Sequence, residues 1–398
     1  MHLVTPNKLQ AWWFHRQGLD NPDANSSSPE ILQKVGWARS VGGANPYITL
    51  YARGGISRAQ VDKDLASQEI HELPSARGCT YIVPKEDYAL ALTVGQGFSD
   101  DSAMSTARKF LGVTDAEIER LMDRVVEALR KSPLDPRQIK EAVGDAARSL
   151  GAEGKKRGQS TTLPLALGFL QSHGRIRRIP IGGRIDQQRY AYAVWDPSPL
   201  ANFHISKEEA YRDLATKYFR WAGPATQDHF RWFSGLGVKL ATQAISEAGL
   251  ISVGDGYLIP SELADDFNAY DPPRDPIYSL VSSIDSHLLL RRDLKSLMYA
   301  EDEERTTFSD KGPLKIGGVQ DLSNHAILDR GRLVGIWEYD SLAEEIVWHS
   351  FIAPDEALRH EVAKTEDYIR SELGDFRSFS LDSPASRAPV IQAIRNPK

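Results

Sequence analysis

His71-Glu72-Leu73-Pro74 opens like a zinc-protease motif, in which two histidines one helical turn apart hold the metal and a glutamate activates water. The second histidine is missing, and Pro74 breaks the helix on which the pair would have to sit. Gly235-Leu236-Gly237 resembles part of a nucleotide fingerprint, but it lacks the third glycine and a preceding strand and reads as a turn leading into a helix. No group of His, Asp and Cys is spaced for a metal, and nothing calls for a cofactor. Cys79 is the only cysteine, which excludes an internal disulfide and a multi-cysteine zinc site and suits a reducing compartment.

The clearest polar signal is electrostatic. From Arg148 to Arg189 the cations are Arg148, Lys155, Lys156, Arg157, Arg175, Arg177, Arg178, Arg184 and Arg189, against the two carboxylates Glu153 and Asp186, in a chain whose formal net charge is -6. Such a strip neutralises phosphates and releases their counterions, so duplex DNA, damaged or bent, is the expected partner. The competing reading is a solvated ribbon with an ordinary fluctuation of charge. Acidic residues elsewhere, Asp62, Asp64, Glu69 and Glu72, read as a solvated helix face. Trp12, Trp13 and Trp232 read as core.

The elements that must position these residues are mostly helical. Connections fall at PDANSSSPE (22–30), GAEGKKRGQS (151–160), WDPSPLANF (195–203) and NAYDPPRDP (268–276), all rich in Pro, Gly, Ser or Asn. DAEIERLMDRVVEALRKS has apolar residues at helical spacing behind Thr114, a helix follows Asp135-Pro136, and LPLALGFLQSHG ends at a glycine. RIRRIPIGG and RYAYAVW then alternate like two strands. Three short helices closed by a ribbon describe a winged helix. The pattern recurs over 207–259, where Lys239 and Gln243 are the only base readers on the last helix. In the first piece SRAQVDKDLASQEI supplies a helix, CTYIVP a ribbon strand and NPYITLYAR a half-buried strand pattern.

The expected fold is mainly α with β wings. Three tandem winged-helix units span 1–110, 111–200 and 201–270, and an α+β or β-rich domain spans 271–398. No apolar run is long enough to cross a bilayer, and the polar, Trp-containing N-terminus is no signal peptide, so the cytoplasm is the expected location.

GPATQDHFRWFSGL (223–236), ARGCTYIVPKEDYALAL (76–92), NPYITLYAR (45–53) and ILDRGRLVGIWEYD (327–340) resemble, in the same order, the tandem winged-helix proteins that include the AlkZ-type alkylpurine and crosslink DNA glycosylases. The resemblance implies a C-shaped array around duplex DNA and a Gln-x-Gln or Gln-x-Asp tripeptide in the first unit. In family register that tripeptide falls on Arg39-Ser40-Val41. Cleavage of an N-glycosidic bond builds positive charge on the sugar, which acceptors or a polarised water must stabilise. Arg39 offers only donors, and Val41 cannot hold a water. A guanidinium about 4 Å from that charge opposes it by about 4 kcal/mol at an effective dielectric near 20, roughly a thousandfold in rate.

The sequence therefore reads as a DNA-binding protein of this resemblance with its catalytic signature replaced. Arg39 becomes a phosphate contact beside Gly42 and Gly43, and Asn45 and Tyr81 join them in lining the cleft. The alternatives are an active glycosylase with a divergent site and a protein or small-molecule scaffold.

Overall fold

The computed structural model describes residues 5–377, 379 and 381–397. Helices in the middle of the chain form where periodicity puts them. Asp115–Leu129 buries Ile118, Leu121, Val125 and Leu129, and the Thr114 hydroxyl caps it by accepting from the Glu117 amide. Pro136–Val143 begins with a capping box at Asp135, Leu163–Ser172 follows, and strands Ile176–Pro180 and Tyr190–Val194 pair antiparallel. A similar run recurs in Lys207–Ala222, Gln227–Ser234, Val238–Ser246 and the ribbon of Leu250–Gly254 with Tyr257–Pro260. Gly235, at φ +77°, ends one helix, and Gly237 caps the next, so the Gly-Leu-Gly stretch is a connection.

The clearest departure from the sequence pattern lies in the first part. NPYITLYAR is not strand-like but lies in the helix Asn45–Gly54. Tyr47, Ile48, Thr49 and Tyr51 favour strands, yet every residue from Asn45 to Leu50 is buried. Packing on all sides overrides propensity and removes the polar face that would have betrayed a helical period. The stretch 151–160, expected as a plain connection, holds the short helix Gly151–Lys156.

The C-terminal part is built on a four-stranded antiparallel sheet in the order Glu345–Ser350, Arg332–Asp340, His325–Asp329, Tyr278–Val281, with the helix Glu356–Tyr368 against it. Together with the small ribbons this makes the architecture mixed α/β. Residues from Met104 to Tyr192 carry a core of their own. The remainder shares its cores: Tyr47 and Ile48 pack with Trp337 and Tyr339 of the sheet, and Trp12 and Trp13 with its other face. The first and C-terminal parts are also joined by the buried pair of Arg53 and Asp285, 2.7 Å apart. Among the described residues no helix is long and apolar enough to cross a membrane.

Candidate functional site

The tripeptide lies at the edge of a small sheet. Helix Ser28–Val35 stops at Gly36, where φ is +97° and an added Cβ would come within 3.2 Å of the Trp221 ring. The chain then pairs as Ala38–Arg39 with Thr80–Pro84, setting Arg39 opposite Tyr81. Arg39 Nη1 donates to the Thr80 carbonyl at 3.0 Å, and its guanidinium lies 5.4 Å from the centre of the Tyr81 ring. Among the described residues no carboxylate pairs with Arg39. Gly42, Gly43 and Asn45, expected to line a cleft, are instead buried. Asn45 donates to the Arg39 carbonyl at 2.6 Å, and the Gln188 side chain fills the space beside Gly42, where a Cβ would sit 2.0 Å away.

Arg39, Val41 and Tyr81 do face a cavity of about 390 Å³. Trp37, Phe233, Leu290 and Leu322 form much of its apolar wall, and Arg77, Cys79, Trp232, Asp321, Ser323 and Phe379 also line it. Trp232 is thus a half-buried cavity wall and not core, whereas Trp12 and Trp13 are core as expected. The Arg77 guanidinium lies 3.1 Å from the centre of the Trp232 ring and donates to the Trp232 carbonyl at 3.0 Å. Arg292 approaches the same ring at 4.1 Å and grips both oxygens of Asp321, its Nε donating at 2.6 Å. Burial pushes the Tyr81 hydroxyl well above its ordinary pKa, with Cys79 adding to the shift, so it stays protonated. Arg77, Cys79, Trp232 and Asp321 were not legible as a group, because they come from segments far apart in sequence. The nearest signal was the Arg-Gly-Cys run within 76–92.

The carboxylates expected on a solvated face are mostly inside. Glu72 is buried and accepts from the Ser40 hydroxyl at 2.6 Å, while its other oxygen meets Arg178 at 3.4 Å. Asp64 is buried and accepts from Ser28 at 2.6 Å, and Asp62 accepts from the Tyr47 hydroxyl at 2.6 Å. Of the four, Glu69 alone keeps a largely exposed side chain, beside Lys85.

The basic strip is divided in the same way. Arg178 belongs to Glu72, and Arg184 pairs with Asp186 and donates to the Leu373 carbonyl at 3.1 Å. Just after Arg184 the chain is tucked in: Ile185 is fully buried, and its amide donates to the Tyr47 hydroxyl at 3.2 Å. Arg148 pairs with Glu117, and Arg157 pairs with Glu153 and lies over Phe110. Arg175 is exposed, 3.5 Å from Asp123, and Arg177 is half-buried, its pKa lowered by burial. Lys155, Lys156, Arg189 and Lys239 are exposed. Among the described residues no group of His, Cys, Asp and Glu is placed to hold a metal.

The cavity thus offers aromatic walls, guanidinium donors and one neutralised carboxylate at the edge of a helical array. A family model for DNA glycosylase AlkZ-like proteins matches residues 35–369. Among solved structures, the Streptomyces sahachiroi DNA glycosylase AlkZ superposes with a TM-score of 0.70 over 94% of this chain and 98% of its own, at 18% identity, a likeness of fold. No curated protein matches. The extent of the family match, from the helix before the tripeptide to the helix packed on the sheet, decides the assignment: the chain belongs to the AlkZ-like DNA glycosylase family.

Proposed function

We propose that this protein binds duplex DNA, through tandem winged-helix units and exposed cations that include Lys155, Arg175 and Arg189, and that it does not excise alkylated purines at a useful rate. The observation that supports the second half is that Arg39 and Val41, which the resemblance puts in register with the family signature, line the cavity. Arg39 is fixed by Thr80, its charge is permanent, and Val41 has no acceptor. A sugar cation developing beside this wall would meet repulsion and find no base. The test is titration of a labelled duplex by anisotropy at low and moderate salt, followed by alkaline cleavage of the same duplex carrying N7-methylguanine. Salt-sensitive binding without strand breaks is expected; salt-independent weak binding contradicts the first half, and breaks above background contradict the second.

A second reading, of an active enzyme with a divergent site, is favoured by one observation: Asp321 is the one carboxylate on the described cavity wall. It could stabilise a sugar cation only after releasing Arg292. On that reading Asp321→Asn abolishes strand breaks that the unmodified protein produces.

A further inference from the structure

The charges on the cavity wall do not balance. Arg39 and Arg77 both line it, and the one carboxylate on the wall, Asp321, is taken by Arg292 from beside Trp232. A guanidinium carries five N–H donors. Arg39 gives a hydrogen bond to the Thr80 carbonyl and Arg77 one to the Trp232 carbonyl, and neither side chain has a donor both buried and unsatisfied. Among the described residues neither guanidinium makes a further hydrogen bond, which leaves donors for a bound anion. Burial depresses the Arg77 pKa, Cys79 and Tyr81 act against that, and the charges of Arg292 and Arg39 add to it. An anion would relieve that repulsion.

The shape is built around the same residues. Arg77 holds a left-handed backbone, φ +60° and ψ 19°, which a non-glycine residue adopts only when its surroundings require it. Gly235 makes room for it, since a Cβ there would sit 2.8 Å from Arg77 Cγ. Arg77 and Arg292 cover the Trp232 ring, so the flat apolar surface comes from Trp37, Tyr81 and Phe233, and about 390 Å³ is enough for two or three fused or linked rings.

We propose that this cavity is a binding site for a planar aromatic molecule with an anionic edge, of the aryl sulfonate or aryl carboxylate class, its rings against Phe233 and Tyr81 and its charge on Arg77 and Arg39. Low-dielectric walls strengthen the contact between guanidinium and anion, and the same field rejects cationic aromatics. The site does not require DNA binding, so it stands or falls apart from the reading above.

Cys79, the only cysteine, lies on the cavity wall and reports occupancy. The experiment measures its alkylation by uncharged iodoacetamide in the full chain with three ring systems of similar size: anilinonaphthalene sulfonate, the neutral phenylnaphthylamine and the cationic proflavine. The sulfonate is expected to slow alkylation at least about tenfold at saturation and to bind about tenfold or more tighter than the neutral amine, as a charge-assisted hydrogen bond predicts, with no protection by proflavine. Arg77→Gln and Arg39→Gln each lower sulfonate affinity about tenfold and leave the neutral amine unchanged. Equal protection by sulfonate and neutral amine, stronger protection by proflavine, or no protection by any of the three overturns the proposal. If a variant fails to fold, the comparison of probes on the unmodified protein decides. Protection by duplex DNA but not by the sulfonate also overturns it, while leaving DNA binding intact.

Discussion

The Ser40 hydroxyl donates to Glu72 at 2.6 Å, with both side chains buried behind the cavity wall. Successive residues of extended chain face opposite sides, so Arg39 and Val41 face the cavity while Ser40 faces the interior. Through Glu72 the tripeptide is tied to Arg178 of the second ribbon. Arg39-Ser40-Val41 is thus joined through Glu72 to the ribbon of Ile176–Pro180. A carboxylate does stand near Arg39-Ser40-Val41, but it is committed to structure.

Glu72→Gln should therefore lower stability by about 1 to 3 kcal/mol, because it leaves the buried part of Arg178 without its anion. Denaturant unfolding measures this. An unchanged midpoint would mean that the joint carries no weight.

Arg53 and Asp285 are each almost wholly buried, with side-chain exposures of 1% and 0%. Arg53→Ala strands the carboxylate and should cost about 3 to 5 kcal/mol, enough to deplete soluble protein. Replacing both residues by Met and Leu should be milder than Arg53→Ala alone, since no charge is then left inside. Greater damage from the double replacement would refute this.

Burial holds His71, His287 and His325 near a pKa of about 3, against an ordinary 6.5. Unfolding lets them take up protons, so stability falls as pH drops below about 6.5. Glu338 is raised by burial to about 7, so its native form holds a proton that the unfolded chain releases above about 4.5. Its contribution has the opposite sign, favouring the fold at low pH and fading as pH rises to about 7. Three imidazoles outweigh one carboxyl, and the protein should be less stable at pH 5 than at pH 7. Glu338→Gln should remove the opposing part and steepen the acid loss, as urea midpoints across that range would reveal.

The fold was legible where one face is apolar and the other polar, as in Asp115–Leu129. It was illegible at Asn45–Gly54, where burial on all sides erased the period and β-favouring residues pointed the wrong way. Arg39, Val41 and Tyr81 could be placed at the site through the family resemblance, and Arg39 and Tyr81 do pair across one short sheet. Trp232, Arg292 and Asp321 could not, since their meeting is a long-range contact that no local pattern encodes. Glu72 and Asp64 looked solvated for the same reason: their partners Arg178 and Ser28 are distant in sequence.

The exposed and committed cations should separate in DNA binding. Glu substitutions at Lys155, Arg175 and Arg189 should weaken binding on all sequences alike, each true phosphate contact lowering the salt slope by about one. Arg178→Ala should shift unfolding instead and leave the slope unchanged. The reverse pattern would place the ribbon's buried side on DNA.

Single-turnover release of N7-methylguanine from duplex DNA, comparing the unmodified protein, Arg39→Ala and buffer, tests most directly whether Arg39 and Val41 have ended the family's chemistry here. Release by the unmodified protein should match buffer, and Arg39→Ala should change DNA affinity or stability without creating or removing activity. Release faster than buffer that Arg39→Ala abolishes would contradict it and make Arg39 a catalytic residue.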